Sequence, residues 1–148
     1  MTTTFIELGG VKRPVRFGFE GLYAYEQNTG RKALADFADY TKNAAAVYES
    51  AHAEALLAGE TPKAAKEIAD AAATAIIPMA LIINIGYAGL YAGYRKEGIP
   101  PDFDEYKVAE WLGENPNAMG EIFSAFTESF PKAEKKTTPR PVTAKAAN

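Results

Sequence analysis

The chain has 148 residues, 47% of them hydrophobic, with no cysteine and a formal net charge of −3. That length suits one domain with a sizeable core, while the lack of cysteine excludes disulfides, thiolate catalysis and Cys-ligated metal and fits a reducing cytoplasm. Residues 1–130 carry 11 Lys and Arg against 18 Asp and Glu, and residues 131–148 carry five basic residues against one acid, the wrong balance for a protein that tracks nucleic-acid phosphates.

From the N-terminus, Met1-Thr-Thr-Thr-Phe-Ile-Glu-Leu8 has neither a basic n-region nor an apolar h-region, so no secretory signal is expected. Residues 1–17 read as a β-hairpin. Two β-prone runs, Thr4–Leu8 and Val11–Phe17, are joined by Gly9-Gly10, which supplies the positive φ angles of a primed turn. Pro14 marks the second run as an edge strand. Phe19, Leu22, Tyr25 and Glu26 follow helical spacing, and Gly30 supplies a left-handed stop. A short second helix is expected next, with Leu34, Phe37, Ala38 and Tyr40 as its apolar stripe.

Residues 43–75 change composition: 14 of 33 are alanine, broken at Gly59-Glu60-Thr61-Pro62. Thr61 as N-cap and Pro62 at the first helical position restart a helix, so this stretch reads as an alanine-rich helical hairpin, Ala44–Ala58 and Pro62–Ala75, running into an apolar segment with a kink at Pro78. After Pro100-Pro101, Asp102 with Glu105 three residues on predicts a capping box for a helix through Trp111-Leu112, closed by Gly113. Asn115-Pro116 starts the last helix, with Met119, Ile122, Phe123, Phe126 and Phe130 on one face. From Pro131 onward no apolar face remains, and residues 131–148 read as a disordered basic tail. The expected fold is mainly α: a single helical domain over 1–130 with a short N-terminal β-hairpin and a central alanine-rich helical hairpin.

The apolar run Ile76–Tyr94 is 19 residues without a charge, long enough to raise the question of a membrane span. Its seven Ile and Leu, at roughly −0.5 kcal/mol each, favour insertion by only about 3.5 kcal/mol, and Pro78, Asn84, three glycines and three scattered tyrosines oppose it. On a helical wheel Gly86, Gly89 and Gly93 share one face, with Tyr87, Tyr91 and Tyr94 about a third of a turn away. Each glycine costs roughly 1 kcal/mol relative to alanine in a helix; close approach of a neighbouring helix is the expected compensation. Buried tyrosine hydroxyls need partners, so a half-exposed tyrosine stripe is a candidate interaction surface.

No enzyme is expected. The sole histidine, His52, has no second ligand at metal-binding spacing. Asp102, Asp104, Glu105 and Glu110 suit a helix N-terminus better than a catalytic cluster. No Walker loop, dinucleotide fingerprint, nucleophile elbow or zincin helix occurs, and no cofactor, catalytic residue or metal ligand is assigned.

Three segments together resemble landmarks of the tail assembly chaperones of long-tailed bacteriophages and related prophages: Val15-Arg-Phe-Gly-Phe-Glu-Gly-Leu-Tyr-Ala-Tyr-Glu-Gln-Asn-Thr-Gly30, Tyr87-Ala-Gly-Leu-Tyr-Ala-Gly-Tyr-Arg95 and Val108-Ala-Glu-Trp-Leu112. The resemblance covers roughly residues 11–40 and 80–130, and the alanine-rich 43–75 stretch departs from it as an insertion. It implies a small helical protein of the bacterial host cytoplasm, absent from the mature virion. Such a protein would self-associate, bind the tape measure protein while the tail tube polymerises, and have the tail tube protein as a second candidate partner. A holdase for amphipathic helices needs aromatic surface rimmed by charge and neither membrane nor nucleic acid. Client contact is placed on Tyr87, Tyr91 and Tyr94, with Phe123 and Phe126 second; Gly86, Gly89 and Gly93 are assigned to helix packing. The rival classes are a holin-type protein with 76–94 as a single span, and a structural tail or head–tail component. Many such chaperone genes are also read through a programmed frameshift near their end, and Glu134-Lys135-Lys136 fits, because lysine codons are adenine-rich. A solvated lysine pair is the default reading of these residues; the nucleotide sequence over codons 133–137 decides, and the absence of a slippery heptamer there would remove the frameshifted form.

Overall fold

Gly9 and Gly10, at φ 66° and 83°, reverse the chain in two residues. The computed structural model describes residues 2–130, and in it Leu8 pairs with Val11 and Thr4 with Val15 across an antiparallel hairpin of β1 (Thr4–Leu8) and β2 (Val11–Val15). Six helices follow: α1 (Phe19–Thr29), α2 (Ala33–Leu57), α3 (Pro62–Ala75), α4 (Met79–Lys96), α5 (Glu105–Glu114) and α6 (Asn117–Glu128). The fold is thus mainly α with a short N-terminal hairpin and a central alanine-rich helical hairpin. The expected disordered tail, 131–148, lies outside the described residues.

α4 is the axis of the core. It buries Leu81, Ile82, Ile85, Ala88 and Leu90, and α1, β2, α5 and α6 all pack on it. Its glycine face receives a strand where a helix was expected. The Arg16 N–H donates to the Gly89 carbonyl at 2.9 Å. A Cβ at Gly89 would stand 2.5 Å from the Phe17 ring, and one at Gly93 would run into the Pro14 carbonyl. Only Gly86 faces helical elements, with Ile122 and Val108 at 3.3 and 3.4 Å from where its Cβ would be. The compensation for the weakening at Gly89 and Gly93 is therefore close packing of the Pro14–Phe17 segment, backbone on backbone at Gly93, while Gly86 makes room for α5 and α6. The same contact seats Phe17 edge-to-face on Phe126, ring centroids 5.3 Å apart.

α1 ends as predicted, with Gly30 left-handed and its N–H on the Glu26 carbonyl. Its buried face is Gly21, Ala24 and Tyr25, which turns Phe19 outward, 86% exposed, against its expected place in the apolar stripe. The short helix over 34–40 and the first alanine-rich helix are one continuous 25-residue helix, α2. No Gly or Pro interrupts Thr41-Lys42-Asn43, and the Thr41 hydroxyl donates back to the Ala38 carbonyl at 3.0 Å instead of capping a new helix. Of its expected stripe, Phe37 and Tyr40 pack on the core while Leu34 is 48% exposed.

α2 and α3 pair through a seam of small side chains, Ala55, Ala65 and Ala69, which does not join the main core cluster. Thr61 accepts from the Ala64 N–H and Pro62 sits in the first turn, as the sequence predicts. Pro78 is not a kink within a helix: it is the N-cap of α4, and α3 meets α4 at 74° across Ile76–Pro78. A proline there denies the ladder an N–H and drives Ile77 out of helical geometry. No single helix among the described residues is long and apolar enough to cross a membrane; α3 and α4 pass only as a bent pair, by length and composition.

Asp104, not Asp102, caps α5, accepting from the Lys107 N–H at 2.9 Å. Starting the helix two residues later places Phe103 against Tyr87, Tyr94 and Trp111, so aromatic packing decides between two equally good capping acids. α5 also runs through Gly113 to Glu114, with Asn115 as its C-cap.

Gly93 and Gly120 give opposite expectations for alanine. Gly93→Ala forces a methyl into the Pro14 backbone and lowers stability by roughly 2–3 kcal/mol. Gly120→Ala meets open space in α6 and raises it by about 0.5–1 kcal/mol. Urea unfolding of the two variants checks both signs, and an unchanged Gly93→Ala midpoint would contradict the packing described.

Candidate functional site

The residues expected to contact a client separate into two groups. Tyr94 is 6% exposed: the Arg13 Nη1 donates to its hydroxyl at 2.7 Å, and its ring packs on Phe103. Arg13 in turn lies 3.8 Å over the Trp111 ring and donates from Nε to the Leu8 carbonyl at 2.6 Å, so Tyr94 belongs to a joint between the hairpin, α4 and α5. Phe126 is 2% exposed and sits among Phe17, Phe37 and Phe130. Both are corrected to core residues, because helical spacing ranks the faces of α4 and α6 without showing which neighbours cover them. Phe123 is half-buried against Phe37 and Tyr40. The glycine face is buried under β2, α5 and α6.

Tyr87 and Tyr91 remain half-exposed, with ring centroids 5.9 Å apart on successive turns of α4. They form one wall of a groove of about 760 Å³ between α4 and α1. The other wall is Tyr23 and Gln27, one turn apart on α1, and the small buried side chains Ala24 and Ala92 lie between the walls. Arg95 and Lys96 close one end, with the Arg95 guanidinium 5.9 Å from the Tyr91 ring centroid. Glu20 is the groove's one carboxylate, and it pairs with Arg16 at 3.3 Å. Burial, reinforced by Glu105, pushes the Tyr87 phenol above its ordinary value, so it remains a neutral hydroxyl at neutral pH. Neither the Tyr87 nor the Tyr91 hydroxyl has a protein hydrogen-bond partner among the described residues.

Tyr23 was not singled out from sequence, although Gly21, two residues earlier and so across the helix from it, marks the close-packed face of α1 and places Tyr23 outside. What the sequence cannot show is that this face lies beside the tyrosines of α4.

A second cavity, about 390 Å³, lies where the α2–α3 arm joins the body, between Tyr40 and Asn43 on one side and Ile76, Pro78 and Asn84 on the other. Beside it the Tyr25 hydroxyl donates to Asp36 Oδ2 at 2.7 Å, and Arg31 grips the same carboxylate through Nε and Nη2. Hydrogen bonding from Arg31 holds the Asp36 carboxyl below its ordinary value, and burial, then the Asp36 hydrogen bond, push the Tyr25 phenol up.

His52 stacks on Tyr48 within α2, ring centroids 5.8 Å apart. Among the described residues no three His, Asp or Glu side chains converge as metal ligands would. No protein-family model matches the chain, and no match is found among curated proteins or solved structures.

The Tyr25–Asp36–Arg31 network carries a pH signature. A depressed carboxyl contributes stability that is present above the unfolded value, near 3.8, and is lost as pH falls through the lower folded value. Unfolding free energy measured from pH 6 to pH 2 is expected to fall more steeply for the native chain than for Asp36→Asn. Tyr25→Phe, which removes one hydrogen bond, is expected to cost about 1 kcal/mol near pH 7. Parallel acid limbs for the native chain and Asp36→Asn would show that this carboxylate is not the linked group.

Proposed function

We propose that the chain is a phage tail assembly chaperone, a non-enzymatic binding protein that keeps the tape measure protein soluble in the host cytoplasm while the tail tube forms, and that is left out of the mature virion. One observation carries the reading. The longest apolar run is spent on the protein's own core, while the tyrosines beside it open onto a groove between two helices.

Such a groove suits an amphipathic helix, whose apolar face needs aromatic and small side chains to pack on and a charged rim to keep it in register. Tyrosine offers a large contact area at low entropy cost and a hydroxyl able to meet polar groups of different clients. Tyr87, Tyr91 and Tyr23 are the residues assigned to contact, with Phe123 at a separate edge of the core. The holin alternative loses support because Leu81, Ile82, Ile85 and Leu90 pack within the chain, where a single span would present them to lipid. The reading gives the α2–α3 arm no role.

Co-expression tests the proposal. The tape measure protein is expected to be soluble and to co-purify with the native chain, and to shift largely to the pellet with a Tyr87→Ala/Tyr91→Ala/Tyr23→Ala variant of unchanged fold by circular dichroism. A tape measure protein that partitions identically with and without the native chain would refute it, and the polypeptide in purified mature virions would favour a structural component.

A further inference from the structure

We infer that the α1–α4 groove selects one class of partner: an amphipathic helix carrying a large aliphatic side chain with a carboxylate one turn away along the same face. This rests on the reading above and specifies what that site accepts.

The shape argues for a helix. Tyr23 and Gln27 stand at four-residue spacing on α1, as do Tyr87, Tyr91 and Arg95 on α4. Each set forms a rail whose members stand about 6 Å apart along its helix. Both rails belong to helices packed on each other, so a third helix laid along them meets ridges at its own repeat. An extended strand, repeating at about 6.6 Å on one face, would offer side chains to the rails but leave its backbone groups facing phenol rings. Between the rails Ala24 and Ala92 leave room for one branched side chain, flanked by Tyr23 and Tyr91.

The charge argues for a carboxylate. Residues 1–130 are strongly acidic, yet this groove ends in two cations. Arg95 and Lys96 make no direct side-chain hydrogen bond or ion pair among the described residues; the groove's own acid, Glu20, is bonded to Arg16 and feels Lys96 only at longer range, which leaves Arg95 the freer of the two cations. Arg95 and Lys96 also offset the C-terminal dipole of α4, but that role leaves both head groups exposed at the groove mouth. A partner side chain seated between Tyr23 and Tyr91 is one helical turn from Arg95, so an acid three or four residues away on the partner falls within reach of these head groups. A lysine at that position would meet two like charges.

The probe is a pair of fluorescent 18-residue amphipathic peptides with the same Leu and Ala stripe, one with Glu and one with Lys four residues from the central Leu, titrated into the full chain and read by anisotropy. The Glu peptide is expected to bind about ten-fold tighter at low ionic strength, with the advantage shrinking as salt rises. Arg95→Glu/Lys96→Glu, two exposed positions whose change leaves the core untouched, is expected to invert the preference, and Tyr91→Ala to weaken both peptides. Equal binding, binding of neither peptide, or a preference that survives the charge reversal overturns the inference. These outcomes are separable from the solubility experiment: a tape measure protein held soluble by a chain that does not discriminate the peptides would leave the chaperone reading standing and this one fallen.

Discussion

The backbone of Pro14–Arg16 lies directly on the Gly89–Gly93 face of α4, and most of the molecule is arranged around that contact. A side chain at either glycine would hold the hairpin off the helix. With it held off, Phe17 would lose Phe126, and Arg13 would lose both Tyr94 and Trp111. A helix that gives up intrinsic stability at Gly89 and Gly93 recovers it through a close approach few sequences allow. The buried remainder of α4 is covered by α1, α5 and α6, so its packing is made by this chain's own elements.

That contact also sets the rotation of α4. With the glycine face on the hairpin, Tyr94 is carried under Arg13 and Phe103, while Tyr87 and Tyr91 are left beside α1. Core and groove are thus two readings of one helix, separated by roughly a third of a turn. A rotation of α4 sufficient to bury Tyr91 would bring a glycine out of contact with β2, so the groove is tied to the packing that holds the domain together.

Local chemistry made much of this legible. Gly9-Gly10, the Gly30 stop and Thr61-Pro62 each have a backbone requirement that few other residues meet, and each lies where the sequence places it. The errors share another cause. Asp102 and Asp104 are equivalent as caps, and the choice was made by Phe103 seeking an aromatic cluster assembled from α4 and α5. Phe19 fits a helical stripe but faces out because Gly21 and Ala24 pack closer. The unbroken α2 went unseen because a change of composition at Asn43 resembles a boundary, although no residue there stops a helix. The groove was half visible for the same reason: Tyr87 and Tyr91 share a face by spacing, whereas Tyr23 joins them only through tertiary packing.

The alanine seam between α2 and α3 stands apart from the main core. From Tyr40, the last α2 residue packed on that core, to Leu57 at the tip, the helix runs about 26 Å at 1.5 Å per residue. The arm therefore projects from a base fixed by the Tyr25–Asp36–Arg31 cluster, and its far end carries Leu57, 89% exposed. Alanine side chains bury little apolar area each, so beyond Tyr40 the arm is held chiefly by the pairing of α2 with α3.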